Sequence, residues 1–175
     1  MATRSHTADT VPADHSAMTF SRVSREGVIA GTIGAATIAL WFLILDLIQG
    51  RPLYTPMVLG TVLFTGTESV PATGGVPISV DVVVQFTFVH WLVFAAVGGL
   101  AAWLLGFAER NANLGFGILL LFVLLECGFL AGAMVFAKPI LQALAWPAVL
   151  LGNVLATLTM GSYFWRQHPH LTINP

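Results

Sequence analysis

Charged residues are scarce in this chain. They make up 9% of its 175 residues, whereas soluble domains carry about 25%. The formal net charge is −1, and neither sign forms a block, so we expect no nucleic acid as a partner. With 57% hydrophobic residues and a mean hydropathy of +0.85, the composition predicts an integral membrane protein whose surroundings are the lipid bilayer.

Cysteine is almost absent as well, so no internal disulfide can form. The single one, Cys127, lies within an apolar run, and we interpret it as a packing residue. Neither a glycine-rich phosphate-binding turn nor a nucleophile motif occurs in the sequence. No reaction class follows, and whether the chain is an enzyme stays open.

The histidines and acids do not form a familiar set of cofactor ligands. A bis-histidine haem needs two imidazoles at similar depth, but His90 is the only histidine in an apolar run. A di-iron bundle needs Glu-x-x-His pairs, and Glu126 is followed three residues later by Phe129. We therefore predict no metal site and no particular cofactor. Ligation of a pigment or haem by the lone His90 stays open.

Four apolar runs are each near the ~20 residues that a helix needs to cross a bilayer. They predict an all-α integral membrane protein, a bundle of four transmembrane helices with a kink at Pro147. The predicted spans are 27–48, 82–107, 114–137 and 140–165. We place a disordered cytoplasmic tail at 1–24, the transmembrane domain at 25–166 and a second cytoplasmic tail at 167–175.

Positive residues predict the orientation of the spans. Cytoplasmic loops of membrane proteins carry an excess of Lys and Arg. Five arginines fall on the side of the termini and the second loop, and only Arg51 and Lys138 fall on the other side. This favours a bacterial-type inner membrane protein with both termini in the cytoplasm.

The first outer connection, residues 50–80, contains a short apolar segment. Thr55 and Pro56 are typical of an N-cap followed by proline at the first helical position. The helix that they predict ends at Gly66 and is too short to span a membrane. We expect it to lie in the outer interface or to re-enter the bundle. Ser79 is the predicted N-cap of the span that follows.

Small residues recur at four-residue spacing in the predicted spans. Such spacing lets helix backbones approach closely and gain van der Waals contact. The pattern fits packing within one bundle or contact with another subunit, and the sequence does not separate the two. The predicted packing positions are Gly27, Gly31, Ala35, Ala39, Gly98, Ala102, Gly128, Gly132 and Gly152.

Four polar side chains interrupt the apolar spans: Asp46, His90, Glu126 and Asn153. An ionisable group at such depth costs roughly 2.5–3.5 kcal/mol on insertion scales and usually has a partner or a function. Counted along the helices, Asp46 and His90 could share an outer layer, and the other two could join His90 in a middle layer. A proton relay, a polar ligand pocket, a structural hydrogen-bond network and a contact with another chain all fit this set.

Two functions follow from these features. The first is a non-catalytic accessory subunit that packs against partner helices, or against a second copy, in a larger membrane assembly. The alternative is a small proton-coupled transporter or membrane enzyme that uses the intramembrane network.

Overall fold

The computed structural model describes residues 14–66, 78–110, 123 and 146–167. Four helices form in these ranges: α1 (Asp14–Ile48), α2 (Tyr54–Thr65), α3 (Val80–Arg110) and α4 (Trp146–Gln167). Within the same ranges no strand occurs, which confirms the all-helical prediction. Three segments are long and apolar enough to cross a membrane: Val23–Ile48, Val80–Gly106 and Pro147–Gln167. Of the predicted span 114–137, the structure describes Val123 alone.

The helix ends agree with the sequence in part. α1 ends at Ile48 as predicted, but it begins at Asp14, so residues 14–24 are helical rather than part of a disordered tail. The carbonyl of Ser79 accepts the amide of Val83 at 3.2 Å, which puts Ser79 at the N-cap position of α3. Pro147 is the second residue of α4, and the predicted kink involves residues 140–145, which lie outside the described ranges.

α1 and α3 pack backbone against backbone through glycine. A Cβ atom added to Gly27 would lie 2.7 Å from the amide nitrogen of Gly99, and one added to Gly31 would lie 2.6 Å from Cα of Ala95. One added to Gly98 would lie 2.6 Å from the amide nitrogen of Gly31. Because the partner position falls from 99 to 95 as α1 advances from 27 to 31, the two helices are antiparallel. We call these five residues the glycine crossing.

α4 packs against another side of α1 and is also antiparallel to it. Gly34 faces the sulfur of Met160, whereas the indole of Trp41, further along α1, donates to the carbonyl of Ala148 at 2.8 Å. Gly152 leaves room for that indole, since a Cβ added there would lie 2.9 Å from Cδ1 of Trp41. α3 and α4 therefore run in the same direction on two sides of α1.

A small apolar core joins the three long helices towards the end of the bundle where α1 begins. Its buried members are Ala30, Ala101, Ala102, Met160 and Phe164. Large apolar side chains elsewhere on these helices are exposed, which is typical of surfaces that meet lipid or other helices. Examples are Leu40, Leu47, Val84, Phe88, Leu92, Leu100, Leu151, Val154 and Leu158.

Candidate functional site

The end of α1 is closed by a Schellman motif. Gly50 adopts φ +67°, a left-handed conformation that glycine reaches without steric cost. Its amide donates to the carbonyl of Leu47 at 3.0 Å, and the amide of Arg51 donates to the carbonyl of Asp46 at 2.8 Å. The chain therefore reverses immediately after Ile48, and α2 begins beside the last turn of α1.

The carboxylate of Asp46 bonds to the first turn of α2. It accepts the backbone amide of Thr55 at 2.7 Å and the hydroxyl of Thr55 at 2.8 Å, and the residue is 3% exposed. The first amides of a helix have no partner within that helix, and its N-terminus carries partial positive charge. Asp46 thus satisfies one of these amides and supplies the negative charge that the helix end favours. We call residues 46–55 the α1–α2 junction.

The predicted N-cap of α2 was wrong. The helix begins at Tyr54, so Thr55 is its second residue, and Leu53 occupies the cap position without a side-chain hydrogen bond. A carboxylate from the preceding helix takes the place that Ser, Thr or Asp usually fills locally. The predicted end at Gly66 is confirmed, with φ +91° and an amide that donates to Val62 at 3.0 Å.

Leu53 carries strain at this junction. Its φ of +63° is left-handed, which costs a residue with a Cβ atom about 1–2 kcal/mol. The amide of Tyr54 donates to the carbonyl of Arg51 at 3.1 Å, and the guanidinium of Arg51 lies 4.1 Å from the centre of the Tyr54 ring. These contacts and the Asp46–Thr55 pair hold the turn in its strained conformation.

α2 lies against the beginning of α3. The amide of Ser79 points to the sulfur of Met57 at 3.4 Å, and a Cβ added to Gly60 would lie 2.7 Å from Cγ1 of Val82 and 3.1 Å from Cβ of Phe86. Since both positions increase together, α2 and the first turns of α3 run in the same direction.

His90 is half-buried in an aromatic setting on α3. Its ring stacks on Phe86 at a centroid distance of 5.9 Å and meets the edge of Phe94 at 4.8 Å. The antiparallel register of the glycine crossing places Ala36 of α1 opposite His90. Asp46 is ten residues further along α1, a rise of about 15 Å. The structure therefore does not bring Asp46 and His90 into one layer.

Asn153 lies much closer to His90 in depth. It is half-buried on α4, its carbonyl accepts the hydroxyl of Thr157 at 2.8 Å, and it follows Gly152, which faces Ile38 and Trp41. These positions are within about one helical turn of Ala36. Glu126 lies outside the described residues, as do Cys127, Gly128 and Gly132.

The predicted packing positions that the structure describes differ in burial. Gly27, Gly31, Ala35, Gly98, Ala102 and Gly152 are buried between helices, whereas Ala39 is exposed. Each four-residue step turns about 40° around a helix. Three steps from Gly27 therefore carry Ala39 about 120° away from the face that meets α3.

Sequence reasoning missed two polar residues that the fold buries, Thr55 as a partner of Asp46 and Glu26. Glu26 is 9% exposed and interacts with another group. An acid four residues before a helix-ending glycine, followed by a Thr-Pro helix start, was the available signal for the Asp46–Thr55 pair. No comparable signal in the sequence pointed to Glu26.

The described residues contain no group of three or more His, Cys, Asp or Glu that could hold a metal ion. Comparison with protein-family models, curated proteins and solved structures finds no match to this chain.

Proposed function

We propose that this chain is a non-catalytic multi-pass membrane subunit that packs against partner helices in a larger assembly. The observation that carries the proposal is the Asp46–Thr55 pair. The carboxylate of Asp46 is buried and accepts two hydrogen bonds from Thr55, so this acid joins α1 to α2. Asp46 also lies about 15 Å from His90 along the bundle, a distance over which a proton cannot pass directly from one side chain to the other.

The hydroxyl groups support a membrane location for this bundle. Thr32, Thr37, Thr61, Thr87 and Thr157 each donate to the carbonyl four residues earlier in their own helix. Such bonds satisfy polar groups without water, as helices surrounded by lipid require. The first residues of α1 and the last residues of α4 lie at the same end of the bundle, where Arg25 and Arg166 are also found. Because positive residues are enriched on the cytoplasmic side, this favours cytoplasmic termini at an inner membrane.

α2 fits a re-entrant helix better than an interfacial one. An interfacial helix carries a charged or strongly polar face, but residues 54–65 contain no charged side chain. Its hydroxyls at Thr61 and Thr65 bond to carbonyls one turn back, and Leu63 and Phe64 are exposed. A helix that is apolar on all sides is stable where its surroundings are also apolar.

The surface for a partner helix is the side of α1 away from α3 and α4. Ala36 and Ala39 are exposed there, and their small side chains would let another backbone approach closely. Large neighbours such as Leu40 and Leu47 would pack around them.

Native mass spectrometry of the complex extracted in mild detergent tests the proposal. We expect a partner chain or a second copy to be retained, and Ala39→Leu should reduce the assembled fraction at least tenfold. Ala96→Leu, the same change at an exposed position of α3, is the matched control and should not. A lone monomer in the unmodified protein, or equal effects of the two variants, would contradict the proposal.

A proton-coupled carrier is the second candidate, because His90 and Asn153 lie at nearly the same depth. It predicts that His90→Ala and Glu126→Gln abolish a proton-linked transport activity while the protein still assembles. Unchanged transport in both variants would exclude this role.

A further inference from the structure

One arginine lies at the end of the bundle where α1 finishes. Arg51 is exposed and follows Ile48, the last residue of a candidate membrane span, by three positions. The other arginines of the described ranges lie towards the opposite end of the bundle, and they are Arg22, Arg25, Arg110 and Arg166. Within these ranges Arg51 is therefore the exception to a distribution of positive charge that favours the other end.

Two contacts hold the guanidinium of Arg51. One of its NH2 groups donates to the side-chain oxygen of Gln49, and its central carbon lies 4.1 Å from the centre of the Tyr54 ring. A guanidinium has five N–H donors, of which the amide of Gln49 takes one. The group is thus held in place by uncharged partners and keeps most of its donors for another acceptor.

The nearest acid in the sequence does not pair with Arg51. Both oxygens of the Asp46 carboxylate accept hydrogen bonds from Thr55, at 2.7 and 2.8 Å. Asp46 is also buried, whereas Arg51 is exposed. An anion that pairs with this guanidinium therefore has to come from outside the α1–α2 junction.

The surface next to Arg51 has the polarity of a membrane boundary. Leu47 and Ile48, in the last turn of α1, are among the exposed large apolar side chains, and Leu53 is exposed beside Tyr54. Tyrosine is enriched where hydrocarbon meets the headgroups, because its ring is apolar and its hydroxyl is polar. Since the candidate span ends at Ile48, Arg51 lies at the level of the headgroups.

We propose that the guanidinium of Arg51 binds the phosphate of a lipid headgroup. A guanidinium donates two parallel hydrogen bonds to phosphate oxygens, and the acyl chains of the lipid would lie along Leu47 and Ile48. Free phosphate offers the same oxygens but nothing to cover these apolar side chains, so a lipid fits the surface better. The inference rests on the proposed membrane location and adds a specific lipid contact to it.

Native mass spectrometry of the full-length protein in mild detergent, titrated with phosphatidylglycerol, tests the proposal. Arg51→Gln should weaken the binding of the first lipid about fivefold, the usual effect of one basic residue at an anionic membrane surface. Arg51→Lys should lose less, because it keeps the charge but not the paired donors. Arg166→Gln, which removes an exposed arginine at the other end of the bundle, is the matched control and should change binding less than twofold.

The structural role of Arg51 in the turn is checked separately. Hydrogen exchange at the amide of Thr55 reports whether the α1–α2 junction is intact in each variant. If Arg51→Gln disturbs the junction, Arg51→Lys provides the comparison, and lipid binding equal to that of the unmodified protein would then overturn the proposal.

The outcomes separate the lipid contact from the membrane location. Unchanged lipid binding in Arg51→Gln, or an equal loss in Arg166→Gln, would overturn the lipid contact alone. Displacement of the lipid by excess inorganic phosphate would assign the site to a free anion and also overturn it. Flotation with vesicles of phosphatidylcholine and phosphatidylglycerol tests the membrane location. A protein that does not float would contradict that location and, with it, the lipid contact.

Discussion

The glycine crossing and the α1–α2 junction join helices by opposite means. At the crossing, Gly27, Gly31 and Gly98 contribute no side chains, and the stabilisation comes from many van der Waals contacts between backbones. At the junction, one carboxylate bonds to one threonine beside a residue with a strained backbone. The first contact depends on the absence of side-chain atoms, whereas the second depends on the hydrogen bonds of a single carboxylate, so substitutions should affect them differently.

The largest effect is expected at the crossing. Gly98→Leu should lower the free energy of unfolding by about 3 kcal/mol, the upper end of what overpacking usually costs. Its side chain would enter space held by the backbones of Gly27 and Gly31. Thermal or denaturant unfolding in detergent measures the change. Gly99→Leu is the matched control, because a Cβ at Gly99 meets nothing within 4 Å. Equal destabilisation by the two variants would show that the crossing is packed differently.

The junction should be next. Asp46→Ala leaves the amide and hydroxyl of Thr55 without their acceptor, which costs about 1–3 kcal/mol for a buried polar group. Asp46→Asn keeps one acceptor oxygen and should lose less than half as much. Denaturant unfolding of both variants measures the difference. A loss as large in Asp46→Asn as in Asp46→Ala would mean that the charge, rather than the hydrogen bonds, holds α2.

The contact between α1 and α4 uses both a glycine and a hydrogen bond. Gly152 makes room for the indole of Trp41, and that indole donates to the carbonyl of Ala148. Gly152→Ala should displace that indole from the carbonyl of Ala148 and cost about 1 kcal/mol. A double-mutant cycle with Trp41→Phe checks the cause, because variants that remove the same contact are not additive. Additive losses would show that the added methyl acts elsewhere.

The smallest effect is expected at Leu53, and its sign is reversed. Asparagine tolerates the left-handed conformation better than leucine, so Leu53→Asn should stabilise the protein by up to about 1 kcal/mol. Leu63→Asn, an exposed position inside α2, controls for the change in side chain and should not stabilise. A destabilised Leu53→Asn variant would mean that the leucine side chain matters more than the strain.

Local signals predicted some of this architecture. The ends of α1 at Ile48 and of α2 at Thr65 followed from a glycine just beyond each helix, Gly50 and Gly66, and that signal acts within a few residues. The start of α1 at Asp14 was missed because residues 14–24 are polar and hydropathy does not detect a helix there.

Contacts between helices were harder to predict. Counting depth from span boundaries put Asp46 and His90 in one layer, but the register between α1 and α3 is set by where the glycines meet. The role of Asp46 as the cap of α2 depends on a reversal of the chain that no local pattern specified. A polar residue in an apolar span could thus be recognised, whereas its partner could not.

Hydrogen exchange at the backbone amide of Thr55 tests most directly the claim that Asp46 joins helices. In the unmodified protein this amide, buried and bonded to the carboxylate, should exchange slowly. Asp46→Ala should speed its exchange at least tenfold, while the amides of α4 stay protected. Exchange at Thr55 that is equally fast in both proteins would contradict the account and free Asp46 for a chemical role.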